Sequence, residues 1–284
     1  MGVSMTRNSR FTRRQVLASI GAVGLVTSGA SVVGAVRGEP PYTHYTYAQT
    51  DDGLPNLQIA WYETYNGTFQ ERSSSGLEPN NESFEDAASA GEFVDDDAAG
   101  YVDAGPVISF DNVMPDDEGH LAIGLLTTNQ PGQVWFRPYA PATLDGNPNY
   151  LENDHIEPER TAGDTTDTVG ELQDELRIEV WYDSGMMGLG ACNGRFEESV
   201  EQLVGDGTGV VSGTLREMSE QFPEGIQLFD GCTEVGESRC VGVRWWLPGD
   251  TGNHVQTDSV GFELQFAATE CLDEPMSPFV EAST

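Results

Sequence analysis

Apolar residues recur at every second position through much of this chain. Leu57, Ile59 and Trp61 alternate with polar neighbours in LPNLQIAWYETYNG, Leu121, Ile123 and Leu125 do the same, and Val134 with Phe136 makes a shorter run. Leu176, Ile178, Val180 and Tyr182 occupy four alternating positions around Arg177 and Glu179. In the longest run, Val260, Phe262, Leu264, Phe266 and Ala268 share one face, which leaves Gly261, Glu263 and Gln265 for water. A period of two is the mark of a strand with one buried face. Pro106 to Phe110, Val210 to Leu215, Ile226 to Phe229 and Val241 to Leu247 add further short strands between turn residues. Such a series predicts an all-β fold, a jelly-roll-like sandwich of two sheets packed face to face.

Helical signals are few. Thr168 with Glu171 forms a capping box ahead of Leu172 to Leu176, and Thr214 with Glu217 opens a second short helix that must end before Pro223. Between Arg72 and Asp103 the composition turns to Ser, Asn, Gly, Ala and acid, so residues 72–104 read as a long acidic surface loop. Near the front, PYTHYTYAQ alternates so as to place Tyr45 and Tyr47 on one face and Tyr42 and His44 on the other.

The first 35 residues have a different character. Arg13-Arg14 precedes an uncharged apolar run from Val16 to Val36, softened by Gly, Ser and Thr, which reads as a twin-arginine export signal cut after Ala30 or Ala35. The remaining chain divides into a tail over 36–53, a β-sandwich over 54–271 containing the acidic loop, and a C-terminal tail over 272–284. Export makes the expected location the cell surface or the medium, with no membrane attachment after the signal is removed.

Charge sharpens this picture. All 13 basic residues of the 284 are Arg, against 47 acids, a formal net charge of −34. Cutting after Ala35 removes four Arg and no acid, leaving −38. In molar salt the Debye length falls to about 3 Å, and the resulting self-repulsion is screened. A lysine-free, acidic, exported chain therefore reads as the product of a salt-loving organism. It also lacks the basic face that nucleic acid requires.

Four cysteines, Cys192, Cys232, Cys240 and Cys271, suggest two disulfides outside the cell, with three connectivities open. No pair has C-x-x-C spacing, so zinc is not expected. The four His residues form no HExxH, G-x-S-x-G is absent, and paired carboxylates carry no specificity among 47 acids. No catalytic residue, metal or cofactor is therefore assigned; calcium at Asp95-Asp96-Asp97 or Asp164-Thr165-Thr166-Asp167 is a weak alternative, since neither spacing fits a hand-type loop. Asn66-Gly67-Thr68 and Asn81-Glu82-Ser83 are candidate N-glycosylation sites at Asn66 and Asn81.

Several segments together resemble the TasA/camelysin family of exported biofilm-matrix proteins, including haloarchaeal members. They are LQIAWYETYNG, VISFDNVMPDDEGHLAIGL, VWFRP, AGDTTDTVGELQDELRIEVWYD and WWLPGDTGNHVQTDSVGFELQFAATEC, which run in order from Leu57 to Cys271. In the turn Met114-Pro115-Asp116-Asp117, Asp116 stands where the family pattern has Gly. The resemblance implies a jelly-roll subunit that polymerises with copies of itself, and with other matrix components, by inserting its N-terminal segment as a strand into the next subunit. Here that segment is Pro41 to Gln49, with Tyr42, Tyr45 and Tyr47 as candidate anchors. Two rival readings are a secreted camelysin-type metalloprotease and a carbohydrate-binding sandwich with Trp135 or Trp246 as sugar platforms.

Overall fold

A computed structural model describes residues 42, 44–48, 55–69, 94–95, 106–110, 113–139, 143–144, 147–148, 150–151, 156–164, 170–184, 192–196, 201–204 and 212–279. The expected export signal with Arg13 and Arg14, the sequon at Asn81, most of the acidic stretch, Asp96-Asp97 and Thr165 to Asp167 lie outside them.

The strands, in chain order, are β1 (His44–Ala48), β2 (Asn56–Tyr65), β3 (Thr68–Phe69), β4 (Val94–Asp95), β5 (Val107–Phe110), β6 (Glu118–Thr128), β7 (Gly132–Tyr139), β8 (Thr143–Leu144), β9 (Asn147–Pro148), β10 (Tyr150–Leu151), β11 (Arg177–Tyr182), β12 (Gln202–Leu203), β13 (Ser212–Thr214), β14 (Ile226–Thr233), β15 (Ser238–Trp246) and β16 (Ser259–Glu270). A nine-stranded sheet runs β12-β11-β15-β6-β2-β1-β4, with β13 on β11 and β3 on β2. A five-stranded sheet runs β10-β16-β7-β14, with β5 on β16, and β8 pairs β9 separately. All neighbours are antiparallel except β1 and β4. The protein is thus the all-β, two-sheet sandwich that the alternation predicts.

The alternating residues meet between the sheets. Leu57, Ile59, Leu121, Ile123, Leu125, Ile178, Val180, Val241 and Val243 of the larger sheet face Val134, Phe136, Leu228, Val260, Phe262, Leu264 and Phe266 of the smaller one in one buried cluster. Phe136 and Phe266 are cross-strand partners with ring centroids 5.2 Å apart. Burying a side chain of this size contributes roughly 1.5–3 kcal/mol, so this face drives folding.

Three short α-helices flank the sheets: α1 (Glu157–Ala162), α2 (Leu172–Glu175) and α3 (Leu215–Gln221). The box at α3 forms as expected, with Glu217 N–H donating to Thr214 Oγ1 at 3.1 Å and Thr214 N–H to Glu217 Oε2 at 2.8 Å. At α2, Thr168 lies outside the described residues. Instead, Asp258 Oδ2 accepts the backbone N–H groups of Glu171 (2.6 Å) and Leu172 (3.0 Å) from across the chain. Helix α1 has no counterpart in the sequence reading; Ile156 N–H donates to Glu159 Oε2 at 2.6 Å, and Gly163 closes the helix at φ 104°.

Three expectations change. Val94–Asp95, within the acidic stretch, forms β4, whose residues pair with Thr46 and Tyr47. Of Val210 to Leu215, Ser212–Thr214 is strand and Leu215 already begins the capped helix, while Val210 and Val211 lie outside the described residues. Glu263 and Gln265, assigned to water, are buried. The guanidinium of Arg137 donates to Gln265 Oε1 at 2.7 Å and stacks on Phe279 of the C-terminal segment, so the outer face of the five-stranded sheet is also covered at β7 and β16.

Candidate functional site: the N-terminal strand and its seat

The segment proposed for self-association lies in this chain's own sheet. Strand β1 runs antiparallel to β2, with His44 opposite Trp61, Tyr45 opposite Ala60, and Tyr47 opposite Gln58. His44 turns inward and stacks on Trp61, with ring centroids 5.1 Å apart. Tyr42 does not share the face of His44, as strict alternation would require. It precedes the strand and so escapes the period of two, and it packs with Tyr45 on the outer face in an edge-to-face pair. Both rings are nearly inaccessible, Tyr42 at 1% and Tyr45 at 4%.

A trough of small residues makes room for these rings. Across the outer face, Tyr45 is followed in register by Ala60, Gly124 and Cys240. The next row holds Tyr62, Ala122, Gly242 and Trp181. Trp181 lies so close over Gly242 that a Cβ there would overlap the indole. Tyr42 enters the trough from the β1 side, and its hydroxyl reaches Cys240 Sγ at 3.8 Å. The Tyr45 hydroxyl donates to the carbonyl of Tyr42 at 3.0 Å, which ties Tyr42 to the strand.

The floor of this seat is a disulfide. Cys192 is bonded to Cys240 and Cys232 to Cys271, one of the three connectivities left open by spacing. Two such bonds fit an oxidising compartment. Loop 192–196 is tied to the sheet by Gly194 N–H donating to Asp183 Oδ2 at 2.7 Å and by the His120 ring nitrogen 3.0 Å from Gly194 O. The Tyr62 hydroxyl donates to Cys192 O at 3.4 Å, and burial, followed by the charge of Asp183, pushes its pKa up.

The other singled-out residues fall elsewhere. Asn66 and Gly67 have φ of 47° and 72° and join Tyr65 to Thr68 in a two-residue turn between β2 and β3. This is the Asn-Gly geometry of a type I′ hairpin, and the sequence signal that reveals it is the NG pair itself. The Asn66 Nδ2, the atom a glycan would occupy, donates to Asp117 Oδ1 at 2.7 Å. Asp117 also accepts from the Tyr65 hydroxyl at 2.5 Å and Met114 N–H at 2.8 Å. Beside it, Asp116 sits at φ 73°, a conformation that explains why Gly suits this position. Thus the Met114–Asp117 turn is a structural knot, pinned also by Leu247 N–H to Asp117 O at 2.9 Å.

Trp135 does not form a sugar platform: it is 7% exposed, packs against Ala267 and Phe279, and donates to Thr269 Oγ1 at 3.0 Å. Trp246 is half-buried beneath the Arg244 guanidinium, 4.7 Å from its ring centroid. Asp164 N–H donates to Glu159 O at 3.1 Å, and Asp95 takes part in the β1–β4 ladder. Among the described residues, no group of three or more His, Cys, Asp or Glu is arranged to hold a metal. Among them, too, no helix is long and apolar enough to cross a membrane.

Glu63 is a buried acid that the sequence reading did not single out. Glu63 takes a core-facing position of β2 between Trp61 and Tyr65, opposite Leu121. It is 6% exposed, and burial alone pushes its pKa up from 4.5 to about 8. Its place in the alternating series Leu57, Ile59, Trp61 was the signal available.

The fold and this seat define a disulfide-bonded two-sheet β-sandwich whose N-terminal strand is packed by aromatic side chains. No protein-family model matches the chain, and no curated protein matches it.

Proposed function

We propose that this protein is an exported, non-enzymatic structural subunit that polymerises with copies of itself into an extracellular matrix or surface filament, exchanging β1 between subunits. The observation that carries this reading is the placement of β1. It lies between β2 and β4, it buries His44, Tyr45, Thr46 and Ala48 with Tyr42 just ahead of it, and the segment before Asn56 connects it to its partner strand. A strand held in this way can pass to a neighbouring copy and remake every ladder hydrogen bond and side-chain contact there, so exchange costs little in contacts. The export signal, the lysine-free acidic surface suited to brine and the resemblance to TasA/camelysin matrix proteins support the same reading.

Electron microscopy of the secreted protein in high salt tests it. Filaments are expected from the full chain and not from a variant lacking residues 41–49; filaments that persist after the deletion would overturn strand exchange.

A further inference from the structure

The Cys192–Cys240 disulfide differs from its companion in what rests on it. Cys232 and Cys271 are both exposed at the rim. Cys240 is 7% exposed, lies in register with Gly124, Ala60 and Tyr45, and has the Tyr42 hydroxyl 3.8 Å from its sulfur. Cys192 sits at φ 58°, an unusual conformation for a residue with a side chain, and its carbonyl accepts from Tyr62, which lines the same aromatic cluster. The bond spans 48 residues and brings loop 192–196 against the strands that form the trough.

We propose that the Cys192–Cys240 disulfide is the seat of the N-terminal segment, so that oxidation of this one pair gates the docking of residues 42–48. With the bond intact, Cys240 lies against Tyr42, and loop 192–196 is held to the same aromatic cluster through Tyr62. Reduction by a dithiol proceeds by attack of its thiolate on one sulfur to give a mixed disulfide. The reductant's second thiol then displaces the protein sulfur, leaving two protein thiols and a cyclic oxidised reductant. Loop 192–196 then loses its covalent tie, Cys192 can leave its left-handed conformation, and Tyr42 loses the surface that buries it. The strand would seat firmly only after the chain has met an oxidising compartment. This inference concerns docking itself and holds whether or not the chain polymerises.

Amide hydrogen exchange on the monomeric full chain tests it, comparing the oxidised protein with C192S/C240S and C232S/C271S. The first variant should exchange the β1 amides at least about ten-fold faster while β7 and β16 keep their protection, and the second should leave β1 as in the parent. Unchanged β1 protection in C192S/C240S, or equal loosening of β1 in both variants, would overturn the proposal. If C192S/C240S does not fold, Y42A with both disulfides intact gives the second reading: β1 should loosen to the same degree, and intact protection would overturn the proposal. Filament formation is scored separately, so loss of assembly does not mimic either result.

Discussion

The indole of Trp245 lies across Gly119, its cross-strand partner, so closely that a Cβ on Gly119 would overlap the ring. Trp181 repeats the relationship with Gly242 on the opposite face of the same sheet. In both cases a rigid ring, not a flexible chain end, would have to move. Gly119→Ala and Gly242→Ala should each cost about 1–3 kcal/mol by overpacking. Thermal melts in constant high salt should show drops of roughly 2–4 °C per kcal/mol. An unchanged melt would mean that the ring has room to shift.

Asp258 holds the first turn of α2 from 86 residues away. Asp258→Ala removes an acceptor from two backbone N–H groups and should destabilise the fold by about 1–3 kcal/mol. Asp258→Asn keeps an acceptor oxygen and should cost less. Denaturant midpoints of the two variants check the order.

Glu63 makes stability depend on pH. Its folded pKa, about 8, lies above its ordinary 4.5, so the folded chain keeps a proton that the unfolded chain has released. The contribution is therefore fully present below pH 4.5 and lost as pH rises through 8, by roughly 5 kcal/mol across the window. Glu63→Gln is neutral throughout and should lack this loss. Unfolding free energies of parent and variant at pH 5 to 9 should diverge in the variant's favour as pH rises; a constant difference would contradict the burial of this carboxyl.

Non-reducing peptide mapping should recover Cys192 linked to Cys240 and Cys232 linked to Cys271. A Cys232–Cys240 product, which would join β14 of the smaller sheet to β15 of the larger one across the turn between them, would contradict both bonds.

What was legible in the chain was the inward side of each strand. Leu57, Ile59, Leu121, Phe262 and Phe266 are core because a period of two leaves them no other face. Local chemistry was legible as well: the Thr214–Glu217 box needs only residues three apart. Periodicity does not say what covers the other face. Glu263 and Gln265 were assigned to water because Arg137 and Phe279, which cover them, come from distant parts of the chain. The seat of Tyr42 was hidden for the same reason. Its trough comes from Ala60, Gly124 and Cys240 on three different strands, and nothing local marks those small residues as a set. Similarly, Asp258 looks like any acid among 47 until α2 is placed beside it.

Cross-linking across the β1–β2 ladder tests strand exchange most directly, because Tyr47 and Gln58 are backbone register partners within one chain. One preparation carries Tyr47→Cys, the other Gln58→Cys, and the two monomers are mixed and oxidised in high salt. Strand exchange predicts a covalent dimer containing one copy of each, appearing as filaments form. Filaments with no such dimer, while a single chain carrying both substitutions cross-links only to itself, would contradict it.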